Sequence, residues 1–115
     1  MLSKTFERYD IVIVPFPFTD SASTKRRPAV VLSGAASFNL PAKHLTLAMI
    51  TSATHHPWPL DVLLTDLASA GLNVACTVRF KLFTFDERLI VRKAGVLATK
   101  DRKAVEAATR ALLLA

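Results

Sequence analysis

A continuous apolar run near the start of the chain restricts the folds open to it. Residues 10–18 read D-I-V-I-V-P-F-P-F, so β-branched and aromatic side chains dominate the segment. Such a run lacks the polar face of a half-exposed strand and predicts a strand buried on both sides or rolled into a barrel. Pro15 and Pro17 have no backbone donor, so we expect the strand to end there at an edge or in a loop.

More short segments of this kind follow, separated by polar or turn-forming stretches. The predicted strands cover residues 10–18, 27–33, 44–51, 58–64, 74–82 and 89–96. Polar loops are expected at residues 19–25 and 34–42, and a turn at 86–88. Many short strands with turn signals between them are typical of a small β-barrel.

The pattern changes to a helical period at the carboxy terminus. Apolar or small side chains recur at helical spacing on one face: Val105, Ala108, Thr109, Leu112 and Leu113. Thr99 is a candidate N-cap, and Asp101 in the first turn suits the helix dipole. The apolar tail, residues 111–115, is expected to pack on the barrel or on a partner subunit. The predicted fold class is therefore mainly β, a small barrel closed by a C-terminal α-helix.

Length and composition favour one globular domain spanning residues 1–115. The hydrophobic fraction of 51% is enough for a core, which disfavours intrinsic disorder. The formal net charge of +6 raises the odds of a polyanionic partner without identifying it. Residues 1–8 lack the apolar stretch of a signal peptide, and no apolar run reaches membrane-spanning length. We therefore expect a cytoplasmic protein.

Metal and thiol chemistry find little support in the sequence. Cys76 is the single cysteine, so no intramolecular disulfide can form. No cysteine–histidine set has zinc-binding spacing, and no acidic cluster would suit two metal ions. His55 and His56 are adjacent, but a polar loop explains them more simply than a metal site. We expect neither a metal nor another cofactor.

The densest local charge is the sequence Lys25-Arg26-Arg27-Pro28, where a polar loop enters the second strand. An RNA backbone would compensate the mutual repulsion of three cations, although a solvated loop tip is the commoner explanation of such a triplet. Pro28 holds Arg27 in extended geometry and so places it on the scaffold. A second group, Arg88, Arg92 and Lys93 with Arg79 and Lys81, could extend a basic groove or lie scattered on the surface.

The sequence contains no glycine-rich phosphate loop and no nucleophile elbow. RNA cleavage without a metal ion stays open, because RNA carries its own nucleophile, the 2′-hydroxyl. The protein then needs a group that moves a proton and donors that neutralise the charged phosphorane. An arginine and a hydroxyl residue can supply such donors, with the arginine as a bidentate clamp.

Four segments resemble, in order, the MazF/PemK-type toxins of toxin–antitoxin systems. The segments are residues 10–20 (D-I-V-I-V-P-F-P-F-T-D), 25–33 (K-R-R-P-A-V-V-L-S), 48–52 (A-M-I-T-S) and 81–90 (K-L-F-T-F-D-E-R-L-I). Each motif is weak alone, but together they span nearly the whole chain, and a terminal helix follows.

The resemblance implies an SH3-like barrel of the CcdB/PemK type, a homodimer and a cognate antitoxin. It also implies a metal-independent endoribonuclease that cleaves single-stranded mRNA and leaves a cyclic phosphate and a 5′-hydroxyl. The family's catalytic arginine, which precedes proline in the second strand, matches Arg27, and its hydroxyl residue at the end of the third strand matches Thr51. The expected RNA contacts are Lys25, Arg26, Phe18, Thr19, Ser52 and Arg79.

The chain departs from the family pattern at two places. The first strand usually begins with Gly-Asp, whereas this chain has Tyr9-Asp10. Some relatives carry an arginine and a nearby aspartate in the fifth strand, but here Phe80 and Lys81 follow Arg79. That acid–base pair cannot be carried over, so Arg79 is predicted to be at most an RNA contact.

Two other functions compete with the ribonuclease. CcdB-type toxins use a similar barrel to bind DNA gyrase and cleave nothing, and fold alone does not decide function. A non-catalytic nucleic-acid-binding module would explain the charge but not the pairing of Arg27 with Thr51. Such a module would need exposed aromatic side chains for base stacking. Tyr9, Phe16, Phe18 and Trp58 are placed near loops, and Trp58 is expected to belong to the core.

Overall fold

The computed structural model describes residues 5–16 and 25–115. Its strands are β1 (Asp10–Phe16), β2 (Lys25–Val31), β3 (His44–Ser52), β4 (Val62–Leu63), β5 (Cys76–Asp86) and β6 (Arg92–Val96). A π-helical turn (Ala35–Asn39) runs into the short helix α1 (Leu40–Ala42), helix α2 (Leu67–Ala70) precedes β5, and a 3-10 turn (Glu87–Leu89) follows it. The long helix α3 (Thr99–Leu114) ends the chain.

The strands form one antiparallel sheet in the order β4-β5-β3-β2-β1-β6. The sheet curls into a half-barrel, and α3 follows it, so the predicted mainly β barrel with a C-terminal helix is confirmed. No helix in the two described ranges has both the length and the hydropathy that a membrane crossing requires.

The sheet carries apolar side chains on both faces, as the continuous run in the first strand predicted. Ile11 packs into one cluster, whereas Val12 and Val14 belong to a second cluster. The first cluster also holds Leu97 and two residues of α3, Val105 and Ala108. The second is completed by Phe6 from the segment before β1, together with buried residues of β2, β3 and β5.

Helix α2 brings the two edges of the sheet towards each other. The hydroxyl of Ser69 in α2 donates a hydrogen bond of 2.7 Å to the carbonyl of Val96 in β6. Gly71 and Gly95 permit this approach, because a Cβ atom at either position would overlap backbone atoms of the opposite element. Gly71 also has φ +75°, the left-handed conformation with which helices commonly end.

The first turn of α3 is tied to the chain by a buried carboxylate. Asp101, only 1% exposed, accepts hydrogen bonds of 3.0 and 3.1 Å from the backbone N–H of Thr65, 2.8 Å from its hydroxyl and 3.0 Å from the N–H of Asp66. The predicted N-cap was wrong, because the helix already includes Thr99 and the residue before it, Ala98, has no capping side chain. Asp101 therefore anchors the helix instead of capping it.

The apolar tail does not pack on the barrel. Leu112, Leu113 and Leu114 are exposed, the last by 77%. Of the two outcomes expected for this tail, packing on the barrel is therefore wrong. A partner subunit is the alternative that stays open.

Several predicted boundaries are also corrected. The fourth strand, expected at residues 58–64, is reduced to Val62–Leu63, because Pro57 and Pro59 cannot donate to a ladder and Leu60 has φ +68°. The fifth strand begins at Cys76 and continues to Asp86, and the loop expected at 34–42 contains helical turns. The last two residues of the predicted first strand lie outside the described residues.

Tyr9, which stands where the resembled family has glycine, adopts φ +75°. A side chain in this left-handed region costs roughly 1–2 kcal/mol compared with the ordinary helical region. Hydrogen bonds hold the backbone there: the N–H of Tyr9 donates to Val31 (2.7 Å), and its carbonyl accepts from Leu97 (3.0 Å). The ring packs against the first core cluster and lies 6.0 Å from the guanidinium of Arg102.

Two substitutions at this position separate backbone strain from side-chain packing. Tyr9→Ala and Tyr9→Gly both lose the ring contacts, but only glycine relieves the left-handed strain. We therefore expect Tyr9→Gly to be more stable than Tyr9→Ala by about 1 kcal/mol, although less stable than the wild type if the ring packing outweighs the strain. Urea unfolding of the three proteins measures these differences. If Tyr9→Ala and Tyr9→Gly unfold at the same urea concentration, the left-handed backbone at this position is not strained.

Candidate active site

A cavity of about 180 Å³ gathers side chains from four strands and one loop. Its polar lining consists of Arg27 from β2, Thr51 from β3, Arg79 and Lys81 from β5, and His55 from the loop after β3. Its apolar lining consists of Phe16, Met49 and Ile50. Three cations, a hydroxyl and an imidazole therefore face one space that is large enough for a small anionic group.

The two predicted catalytic residues meet at this cavity. Arg27 lies opposite Val14 in the β1–β2 pair, and Pro28 follows it within β2. Thr51 lies opposite Thr77 near the end of β3, where the strand enters the loop at residues 53–61. Strand pairing thus brings together two side chains that are far apart in the sequence, and their chemical roles stay predictions.

An irregularity in β5 shapes the basic side of the cavity. Ala48 of β3 pairs with Leu82, but the next residue, Met49, pairs with Arg79. Phe80 and Lys81 are therefore extra residues on β5, as in a β-bulge, which commonly redirects side chains near functional sites. Phe80 is buried in the first core cluster, whereas Lys81 lines the cavity.

Arg79 fastens the loop at residues 53–61 to the sheet. Its Nε and Nη2 atoms donate to the two carboxylate oxygens of Asp61 at 3.3 and 3.0 Å, and Nη2 also donates to the carbonyl of His56. In the sequence, Arg79 is followed directly by Phe80 and Lys81 and not by an aspartate. The structure supplies the carboxylate from the segment before β4, so Arg79 is a loop anchor as well as a cavity residue.

The environment of Asp61 keeps it ionised. Burial alone would raise the pKa of this carboxyl, but the hydrogen bonds from Arg79 and from the backbone N–H of Trp58 (2.8 Å), with the charge of Arg79, outweigh burial. The pKa of Asp61 is consequently below its ordinary value of 3.8. The ion pair is therefore intact at neutral pH.

Trp58 lies beside the cavity and not in the core, where it was expected. The residue is 43% exposed, and its ring contacts the ammonium of Lys81 at 4.9 Å and the guanidinium of Arg79 at 5.6 Å. Cations at these distances are attracted to the negative face of an indole ring. The alternation of proline and apolar residues around Trp58 imitated a strand, which explains the error.

His55 is a polar cavity residue that was not predicted from the sequence. We interpreted the His55–His56 pair as a polar loop, and the side chain of His55 is indeed exposed. The loop nevertheless turns it back towards Thr51 and Arg27, into the cavity lining. The one available signal was its place four residues after a predicted catalytic threonine.

The remaining predicted RNA contacts lie around this site. Lys25 and Arg26 are exposed at the start of β2, opposite Phe16 and Pro15. Ser52 follows Thr51, but its hydroxyl is paired with that of Thr54 at 2.9 Å. Phe18 and Thr19 lie outside the described residues.

The second basic group does not join this cavity, apart from Arg79 and Lys81. Arg88 is paired with Asp86 at 2.7 Å, and Lys93 with Asp10 at 3.2 Å. Arg88 and Arg92 line a different cavity, beside Phe6. Within the described residues, the basic groove is therefore built from β2, β5 and the loop at residues 53–61.

Comparison with known proteins assigns the family. Residues 7–113 match the family model of PemK-like, MazF-like toxins of type II toxin–antitoxin systems. The match covers almost the whole chain, so the protein belongs to the PemK/MazF toxin family, as the sequence motifs indicated. Comparison with curated protein sequences gives no match.

Solved structures agree on the fold. MazF in the MazE–MazF complex (form III) of Deinococcus radiodurans is 22% identical, with a TM-score of 0.75 and coverage of 96% of this chain and 97% of that chain. Toxin MazF-mt6 of Mycobacterium tuberculosis is 23% identical, with a TM-score of 0.68 and coverage of 89% and 93%. A mycobacterial endoribonuclease solved with its cognate antitoxin is 12% identical, with a TM-score of 0.73 and coverage of 93% of both chains.

The Arg79–Asp61 pair predicts a pH-dependent contribution to stability. Asp61→Asn should lower the free energy of unfolding at neutral pH by about 1–2 kcal/mol, since it removes hydrogen bonds between charged groups. The folded-state pKa of Asp61 lies below 3.8, so this contribution is complete above that pH and is lost as the pH falls through the folded-state value. Urea unfolding of both proteins at neutral and acidic pH measures the difference.

Glu106→Gln is the matched control, because Glu106 pairs with Arg110 on the exposed surface of α3. Such a pair contributes roughly 0.3–0.5 kcal/mol. The assignment of Arg79 as a loop anchor would be wrong if Asp61→Asn unfolded at the same urea concentration as the wild type.

Proposed function

We propose that this protein is an endoribonuclease toxin that cleaves single-stranded mRNA without a metal ion and arrests growth. The main observation in support is that Arg27 and Thr51 line the same cavity. The other described polar side chains in its lining are those of Arg79, Lys81 and His55. Membership of the PemK/MazF toxin family supports the proposal. The cytoplasm, where mRNA is found, is the proposed location.

The reaction follows from the chemistry of RNA. The 2′-hydroxyl oxygen attacks the neighbouring phosphorus, and the bond to the 5′-oxygen breaks, which leaves a cyclic phosphate and a 5′-hydroxyl. Negative charge builds on the phosphorane oxygens, where the guanidinium fork of Arg27 can bind two of them. The hydroxyl of Thr51 donates a further hydrogen bond, and Lys81 adds a positive charge to the same space.

The outer residues have a different proposed role. Lys25 and Arg26 are exposed beside the cavity and would bind backbone phosphates, which positions RNA without reading its sequence. Phe18, Thr19 and Ser52 are proposed contacts on the basis of the family resemblance alone. Arg79 is already paired with Asp61, so its proposed role is at most that of a secondary RNA contact.

The experiment is cleavage of single-stranded RNA in excess EDTA. Arg27→Ala should abolish cleavage, and Arg27→Lys should rescue it poorly, because a point charge cannot form the bidentate fork. Thr51→Val should lose roughly a hundredfold or more in rate, as expected for a lost oxyanion donor, whereas Thr51→Ser should keep most activity. Melting temperatures of all variants should match the wild type.

Binding is measured separately with a non-cleavable RNA analogue. Trp58, the single tryptophan of the chain, contacts two cavity cations and provides a fluorescence signal. The double variant Lys25→Ala/Arg26→Ala should bind RNA with a weaker salt dependence. The slope of log affinity against log salt concentration should become shallower by about 0.7 for each lost phosphate contact. If the wild type binds the RNA analogue but does not cleave RNA, a non-catalytic nucleic-acid-binding module is favoured. If it neither binds nor cleaves RNA, a toxin with a protein target is favoured.

A cognate antitoxin is the proposed protein partner. MazF of Deinococcus radiodurans has been solved with MazE, and a mycobacterial endoribonuclease with its own antitoxin. An acidic antitoxin segment would compete with RNA for the cations Lys25, Arg26 and Arg27. The product of the adjacent reading frame, added to the EDTA assay, should therefore stop cleavage.

We also propose a homodimer that covers the tail of α3. Leu113 and Leu114 line a cavity of about 380 Å³ with Tyr9 and Leu32, and Leu112 is exposed nearby on the same helix. A second copy in two-fold symmetry is the commonest way to bury such a surface. Light scattering at micromolar concentration should give the mass of a dimer. Leu114→Glu places a charge on the proposed interface and should shift the measured mass towards that of a monomer. A monomer mass for the wild type would refute the dimer.

A further inference from the structure

Among the described residues that line the cavity, His55 is the one whose type commonly acts as a general acid or base. Arginine and lysine side chains are hydrogen-bond donors that bind and neutralise anions, which is the role that Arg27, Arg79 and Lys81 can fill here. A threonine hydroxyl donates a hydrogen bond but does not release its proton at neutral pH. Histidine is the residue that most often transfers protons in enzymes, and His55 lines this cavity.

His55 is presented by a loop whose path is fixed on both sides. The backbone N–H of His55 donates to the carbonyl of Ser52 at 3.2 Å. On the other side, the carbonyl of His56 accepts from Arg79, which also binds Asp61. The His55 imidazole makes no hydrogen bond to any described residue. None of these residues therefore occupies the ring nitrogens that would meet a substrate.

We propose that His55 is the general acid of the reaction and that its imidazolium protonates the departing 5′-oxygen. This inference rests on the proposed ribonuclease function. As the 2′-oxygen forms its bond to phosphorus and its proton passes to a solvent water, the P–O5′ bond breaks. The 5′-oxygen takes the proton from His55, and the neutral imidazole regains a proton from solvent. The charges that face the cavity beside His55 are Arg27 from β2 and Arg79 and Lys81 from β5, with Asp61 on its own loop.

The assignment to the leaving-group side follows from the other cavity residues. Positive charges stabilise a deprotonated oxygen, so the cations already help the 2′-hydroxyl to lose its proton to water. The departing 5′-alkoxide is strongly basic and needs a proton donor, and His55 is the described cavity residue of the type best suited to that role. His55, exposed at the cavity mouth, can also be reprotonated by solvent after each turnover.

The test compares two RNA substrates that differ in the leaving atom. In the first the scissile bond ends in the normal 5′-oxygen, and in the second a bridging 5′-sulfur replaces it, which leaves without protonation. His55→Ala should lower kcat on the oxygen substrate by about 10²- to 10⁴-fold, the usual contribution of a general acid, with KM little changed. On the sulfur substrate the same variant should cleave at close to the wild-type rate.

His56→Ala is the matched control, because it removes the neighbouring imidazole, which does not line the cavity, and keeps the carbonyl that Arg79 uses. It should cleave both substrates like the wild type. The assignment of His55 would be overturned by normal cleavage of the oxygen substrate by His55→Ala, by an equal defect on both substrates, or by an equal defect in both histidine variants. A wild-type protein that cleaves neither substrate would instead overturn the ribonuclease function, and the role of His55 with it.

Discussion

The buried carboxylate of Asp101 is the contact on which the arrangement of the site depends. It joins the first turn of α3 to Thr65 and Asp66, which lie shortly after β4. Burying a charge is costly unless hydrogen bonds compensate it, and here both carboxylate oxygens accept them. The chain is thereby held just after β4, while β3 holds the other end of the loop at residues 53–61. The loop that carries His55, Trp58 and Asp61 is therefore tethered at both ends.

Arg79 completes this arrangement from within the cavity. Its guanidinium is shared between the carboxylate of Asp61, the carbonyl of His56 and the ring of Trp58. Because Asp61 offsets its charge, Arg79 adds less to the positive potential than a residue count suggests. Arg27 and Lys81 have no ion pair with any described acidic residue, so they supply most of the net charge that an anionic ligand would meet. In this site Arg79 holds the loop, whereas Arg27 and Lys81 are available to bind an anion.

The sequence predicted the fold through signals that are local. The continuous run in β1 and the helical period of α3 each depend on neighbouring residues, and both elements were found. The fourth strand failed because apolar residues around Pro57 and Pro59 imitate a strand that has too few backbone donors to pair. Trp58 was misplaced for the same reason, since an apolar residue in a predicted strand is expected to be buried.

The site was predictable only in part. The family resemblance pointed to Arg27 and Thr51 by their strand positions, and pairing of β2 with β3 brings both to the cavity, while their catalytic roles stay predictions. Asp61 and His55 could not be assigned in this way, because their partners depend on how an irregular loop folds over β5. No periodicity describes such a loop, and Asp61 precedes its partner Arg79 by 18 positions.

The two departures from the family pattern have the same structural explanation. At the start of β1, Tyr9 takes the backbone conformation that favours glycine, and two strand-end hydrogen bonds, the core and Arg102 hold it there. In β5, Arg79 pairs with Asp61, which belongs to another segment of the chain. In both cases, contacts with residues distant in sequence hold the local arrangement.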